Sequence, residues 1–186
     1  MCRWRLFYPV IGVLCILWLL ITACSSVPVT DRRQLNLIPA ASMLSMSYQQ
    51  YEQVLEEAKL SEDKEKTRMV KRVGRRIQEA VEEYFDRQGE TQRLENYEWE
   101  FNLVENDQVN AWALPGGKVV VYTGILPVAR TETGLAVIMG HEVAHAVARH
   151  GNERMSQSML AQFGSVALSQ ALQEKPAQTR QLWMMA

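Results

Sequence analysis

Apolar residues recur along this chain in two rhythms, and the change from one to the other marks out its elements. From Ser42 to Lys59 the positions Met46, Tyr51, Val54, Leu55 and Ala58 follow in steps of five, three, one and three, which predicts one helix. Ser61, followed by Glu62 and Asp63, has the composition of an N-cap with acids in the first turn. A second helix is expected from there to about Gln88, on the stripe Met69, Val70, Val73, Ile77, Val81, Tyr84 and Phe85. Gly89 to Asn96 is polar and reads as a loop, after which the period drops to two. Tyr97, Trp99, Phe101 and Leu103 alternate with Glu98, Glu100 and Asn102, then Val109, Ala111 and Ala113 with Asn110 and Trp112. Lys118 to Tyr122 is valine-rich. These are three strands of a small sheet, expected to be antiparallel, with Leu114-Pro115-Gly116-Gly117 as a turn between the last two.

Helical spacing returns after Thr131 and Glu132, which suit a helix start, and Gly151 suits its end. Within the apolar run Leu135 to Val147 stands Gly140-His141-Glu142-Val143-Ala144-His145. Two histidines four apart lie only ~40° apart around a helix, so both imidazoles reach one metal ion. Glu142, offset by ~100°, is placed to act on a water there and not to ligate. Burying a glutamate and two histidines in an apolar helix without a metal or partner would cost roughly several kcal/mol, which favours metal-assisted hydrolysis over plain packing. On a continuous helix His150 points ~180° away from His141 and does not join the same metal. The metzincin pattern requires glycine and histidine where this chain has Ala148 and Gly151, and is excluded.

Beyond Gly151, Met155, Met159, Phe163, Val166 and Gln170 again step helically, a stripe expected to be core, and Pro176 marks an end. The chain closes on the apolar Leu182-Trp183-Met184-Met185-Ala186 without a stop signal, so a C-terminally truncated domain is expected.

Composition narrows the function. The 186 residues are 47% hydrophobic with net charge -1, an ordinary globular balance that gives no reason for a nucleic-acid partner. The bases of the second helix, among them Lys71, Arg72, Arg75 and Arg76, are interleaved with acids and read as a solvated face. The first residues differ: Met1-Cys2-Arg3-Trp4-Arg5 is basic, Leu6 to Ile21 is uncharged and apolar, and Leu20-Ile21-Thr22-Ala23-Cys24 places small residues ahead of a cysteine. That start resembles a bacterial lipoprotein signal. It implies a cleaved segment 1–23, lipidation of Cys24, a tether over 24–41 and a domain over 42–186; the alternative is an uncleaved N-terminal membrane helix, for which sixteen apolar residues are short of the ~20 a span needs. Cys2 and Cys15 would leave with the signal. Ser25 after the cysteine implies the periplasmic side of the outer membrane in a bacterial envelope.

The lipoprotein start, Asn110 to Gly117, Tyr122-Thr123-Gly124 and His141 to His150 together resemble one zinc metallopeptidase family. It is the family of the CAAX prenyl protease, the HtpX heat-shock membrane protease and bacterial periplasmic quality-control lipoproteins, and the likeness is sharpest from Val109 to Gly151. The resemblance implies an α+β fold, a mainly helical zincin-like domain with a small antiparallel sheet beside the motif helix. It implies one zinc ion per chain held by His141 and His145, with Glu142 as general base. Asn110, Ala111, Trp112 and Ala113 would form the cleft edge on which a polypeptide substrate is held as an added strand. The third ligand would be a glutamate beyond Ala186, because Glu153 is too close to swing back and Glu174 lacks the partner spacing. The expected activity is that of a membrane-anchored endopeptidase in envelope protein quality control, with the chain as given inactive. The alternatives are a noncatalytic chaperone-like lipoprotein on the same fold and a zinc hydrolase of a non-peptide bond. Nothing in the sequence sets an oligomeric state.

Overall fold

The structure, a computed structural model, describes residues 24–26 and 33–172. The expected signal segment 1–23 and Glu174 lie outside them. Two short strands, β1 (Cys24–Ser26) and β2 (Arg33–Leu35), form a two-stranded sheet within the expected tether. They are followed by helices α1 (Ala40–Glu57) and α2 (Lys64–Gln88), and strands β3 (Glu100–Val104), β4 (Ala111–Leu114) and β5 (Lys118–Tyr122). One helical turn, α3 (Leu126–Ala129), then precedes helices α4 (Glu132–Val147) and α5 (His150–Leu172). Residues 38–151 form one compact unit, and β2 with the part of α5 from Asn152 onward belongs to another. In that second unit the Leu37 N–H donates to Ser156 Oγ at 2.9 Å, and the buried Ser156 hydroxyl donates to Asn152 Oδ1 at 3.1 Å.

The larger unit has three layers. Alternation along β5 sends Val119 and Val121 to one face and Val120 to the other, and all three are fully buried. On the first face they join Val70 and Val73 of α2 and Leu135, Met139, Val143 and Val147 of α4. On the second, Val120 and Val104 meet Tyr51 of α1. Helices therefore cover both sides of the sheet, and β5 is valine-rich because neither of its faces meets water. Burial of each such side chain contributes about 1.5–3 kcal/mol. Gly74 lets α2 approach β3 closely, since a Cβ there would fall 2.3 Å from the Phe101 ring.

The α+β, mainly helical architecture is the one expected, with a sheet that is mixed and not purely antiparallel. Its order is β3-β5-β4, with β3 parallel and β4 antiparallel to β5. The reason lies in the chain ahead of α2. Leu60 bridges Val104, and Ser61 N–H donates to Leu103 O at 2.9 Å, so the α1–α2 linker occupies one side of β3 and β5 takes the other. Those same bonds move the start of α2. Ser61 is held against β3, and Asp63 becomes the N-cap, its carboxylate accepting from Glu65 N–H at 3.1 Å and Lys66 N–H at 3.0 Å. The other end stops as expected, with Gly89 in the left-handed region at φ 68° and Glu90 N–H returning to Phe85 O.

The stripe of α1 keeps Tyr51, Leu55 and Ala58 and differs at its N-terminal end, where Met43 and Ser47 are buried and Met46 is exposed. Ser47 is inside because its hydroxyl donates to Pro115 O at 2.5 Å. This bond holds the Pro-Gly-Gly turn, where Gly116 and Gly117 take φ of 93° and 84°. Cβ atoms at these two positions would also run into the rings of Tyr48 and Trp99, so the turn needs glycine for space as well as for backbone angle.

Along α5, Met159, Phe163 and Val166 are exposed, Phe163 to 66%. The stripe expected to be core is not core among the described residues, because helical spacing states only that one face is apolar.

Candidate metal centre

Helix α4 starts where the sequence indicates. Thr131 Oγ1 accepts from Gly134 N–H at 3.0 Å, and Glu132 occupies the first turn. Glu132 is paired with Arg72 of α2, whose guanidinium holds its carboxyl below the usual carboxylate range. Leu135, Met139, Val143, Ala146 and Val147 then face the core. This register turns His141 outward to an exposed position and leaves Glu142 and His145 half-buried. The burial cost invoked from sequence therefore does not arise for His141.

The imidazoles of His141 and His145 converge. Their Nε2 atoms are 2.9 Å apart, with ring planes at 83°. Two nitrogens bound tetrahedrally to one zinc at ~2.0–2.1 Å would be separated by about 3.3 Å, so the pair needs to open by only a few tenths of an ångström. The donor set, two aromatic nitrogens on one helix face, fits zinc. Among the described residues no group of three or more histidine, cysteine, aspartate or glutamate side chains is placed to hold a metal ion.

His150 is not where a continuous helix would put it. Helix α4 stops at Val147, Arg149 takes a left-handed φ of 58°, and a new helix begins at His150. Gly151 lies inside that helix and does not end α4. The break brings His150 Nδ1 to 2.6 Å from His145 Nδ1, with ring centroids 4.8 Å apart. The continuous helix assumed from the sequence is not present, so His150 lies beside the His145 ring instead of on the far side of α4. No sequence signal announces a left-handed arginine.

Asn110 is exposed just ahead of β4, and its carbonyl accepts from Tyr122 N–H at 3.1 Å. Ala111 and Ala113 belong to the face packed with α4. Trp112 is turned to the opposite face, where its ring meets Tyr51 edge-on at 6.4 Å. Strand β4 lies at one side of the three-stranded sheet, paired with β5 and with no other strand among the described residues. An apolar groove of about 600 Å³ runs between α2 and α4, lined by Ile77, Val81, Ala136, Gly140, Ala144 and Val147 among others. The spacing reading missed it, although Ala136, Gly140 and Ala144 recur every four residues and leave a shallow flank on α4.

A helix that brings two histidines to one point and carries a glutamate between them is the arrangement by which metallopeptidases are recognised. Comparison with known proteins places the chain in that class. It belongs to peptidase family M48, which it matches over residues 71–185. It is 35% identical to the mitochondrial metalloendopeptidase OMA1 of Schizosaccharomyces pombe over 133 residues, covering 70% of this chain and 36% of the relative. The mitochondrial metalloendopeptidase OMA1 of Homo sapiens is 29% identical over 163 residues, 87% of this chain and 30% of the relative. The beta-barrel assembly-enhancing protease of Escherichia coli is 40% identical over 50 residues, 27% of this chain and 10% of the relative. The chain thus spans about a third of the length of the OMA1 relatives.

These relatives overturn the expected location on the periplasmic side of a bacterial outer membrane. The matches that cover most of the chain are to mitochondrial proteins, and those to the bacterial proteases are partial. A basic start with a short apolar run is a feature of export segments in general, and its physical chemistry does not name the membrane. Among the described residues no helix is long and apolar enough to cross a membrane.

Proposed function

We propose that this chain carries the zinc-binding half of an endopeptidase site, with His141 and His145 as ligands and Glu142 as general base. The observation that carries the reading is the 2.9 Å approach of the two Nε2 atoms on one turn of α4. Zinc, when bound, supplies a Lewis acid that polarises the scissile carbonyl and acidifies water. Glu142 accepts the proton of the attacking water and returns it to the leaving amine. The third ligand is a glutamate from outside the described residues, since a catalytic zinc takes three protein ligands and keeps one position open.

The backbone of Asn110 to Ala113 holds the polypeptide substrate as an added strand. The position of β4 at the side of the sheet supports this reading, because an edge strand presents unpaired N–H and C=O groups. Trp112 then contributes through its main chain, its ring being engaged with Tyr51. A membrane tether through a lipid on Cys24 is supported by the residues ahead of that cysteine, and a role in protein quality control by the similarity to the beta-barrel assembly-enhancing proteases. Mass spectrometry of the mature N-terminus tests the tether directly.

The decisive measurement is casein hydrolysis and zinc content of the chain translated from the complete reading frame, with Glu142→Ala beside it. Zinc retained with hydrolysis lost supports the reading. Hydrolysis undiminished in Glu142→Ala would remove Glu142 as the base and favour a binding protein that uses the same cleft edge.

A further inference from the structure

The end of α4 does more than stop a helix. On a continuous helix, five positions after His145 lie ~140° away around the axis, out of reach of its ring. Here Ala148 N–H donates to Ala144 O at 2.9 Å and Arg149 N–H to Ala146 O at 3.1 Å, and Arg149 then takes the left-handed conformation that L-residues adopt rarely. The helical path is broken there, and His150 lies against the side of His145 that faces away from His141.

Two Nδ1 atoms 2.6 Å apart cannot both carry protons and cannot both be bare; one donates and the other accepts. The two directions are not equivalent. With the proton on His145 Nδ1, its Nε2 carries a lone pair, which accepts from His141 Nε2–H at 2.9 Å when no metal is bound and is the atom a metal would take. With the proton on His150 Nδ1, a neutral His145 must carry its own on Nε2, which blocks the position a metal needs.

We propose that His150 is a positioning residue for the metal centre: its Nδ1 accepts the Nδ1–H of His145, holding that imidazole in the tautomer and orientation that present Nε2 beside His141 Nε2. Metal-binding histidines generally hand their second N–H to a carboxylate, carbonyl or water, and here an imidazole accepts it. The Arg149 turn supplies the geometry, since without it His150 would face elsewhere. The purpose assigned to the contact rests on the zinc reading above, but the contact itself does not.

The test uses the 186-residue chain and reads two quantities. Nitrogen-15 NMR of the metal-free protein reports the His145 tautomer, and competition against a chelating dye reports zinc affinity. The wild type is expected to hold His145 as the Nδ1–H form. His150→Leu is expected to mix the tautomers and weaken zinc by about 10–100-fold. His150→Asn, whose Oδ1 can stand where Nδ1 stood, is expected to restore both. A folded His150→Leu with wild-type tautomer and affinity would overturn the proposal, as would His150→Asn behaving like His150→Leu. Should His150→Leu not fold, the tautomer in His150→Asn decides alone: retained Nδ1–H supports the acceptor role, and its loss overturns it. Zinc bound unchanged by a His141→Ala, His145→Ala double variant would sink the metal centre and the purpose with it. The tautomer populations, measured without metal, separate that failure from failure of the His145–His150 bond.

Discussion

Helices α4 and α5 follow each other with two residues between them, and both show apolar side chains at helical spacing. Their fates differ. In α4, Leu135, Met139 and Val143 are at most 2% exposed, whereas Phe163 and Val166 of α5 are exposed to 66% and 55%. The difference lies in what stands opposite. Helix α4 faces the valines of β5 and the stripe of α2, and this anchoring fixes the rotation that turns His141 outward. A helix without that anchoring has no defined rotation, so a metal site on α4 depends on the apolar residues behind it as much as on the histidines.

The contrast can be broken or sharpened by substitution. The largest expected effect is on the chemistry: Glu142→Ala in the complete protein should lower casein hydrolysis by about 10²–10⁴-fold while zinc content stays unchanged. Next is the anchoring. Met139→Ala should cost about 2–5 kcal/mol in urea unfolding, because the site is fully buried between helix and sheet. If α4 tolerated it within ~0.5 kcal/mol, the anchoring argument would be wrong.

A smaller effect is expected at the surface pair that ties α2 to α4. The Glu132 carboxyl is held low by Arg72, so its contribution is present above the ordinary carboxylate value and lost as pH falls through the lowered one. The melting temperatures of wild type and Glu132→Gln should therefore differ at neutral pH and converge on acidification. A gap that persists in acid would assign the effect to something other than the charge. The smallest effect is expected in α5, where Phe163→Ala should change stability by less than about 0.5 kcal/mol. A larger loss would show that its exposed stripe has a partner in solution.

Much of the architecture is legible in the residues. The stripe of α2, the valine-rich β5, the Thr131 cap and the two convergent histidines all follow from local spacing, because each is decided within one or two turns or a few strand residues. The same local reasoning misplaced the α2 cap, since Ser61 is held by Leu103, more than forty positions later. It also placed Met46 on the inner face of α1, where Ser47 stands, recruited by the carbonyl of Pro115. The location of the protein failed for another reason: an apolar leader records partition into lipid and not which membrane receives it.

By itself the sequence determined the elements, the class of chemistry and the two candidate ligands, all of which rest on periodicity and on the reach of neighbouring side chains. Tertiary structure alone decided that β3 runs parallel to β5, that β4 is an edge among the described residues, and that the helix breaks at Arg149 to set His150 against His145. Strand partners are chosen by long-range pairing. A left-handed arginine is selected only when the surrounding contacts outweigh its steric cost, and no local spacing encodes that balance.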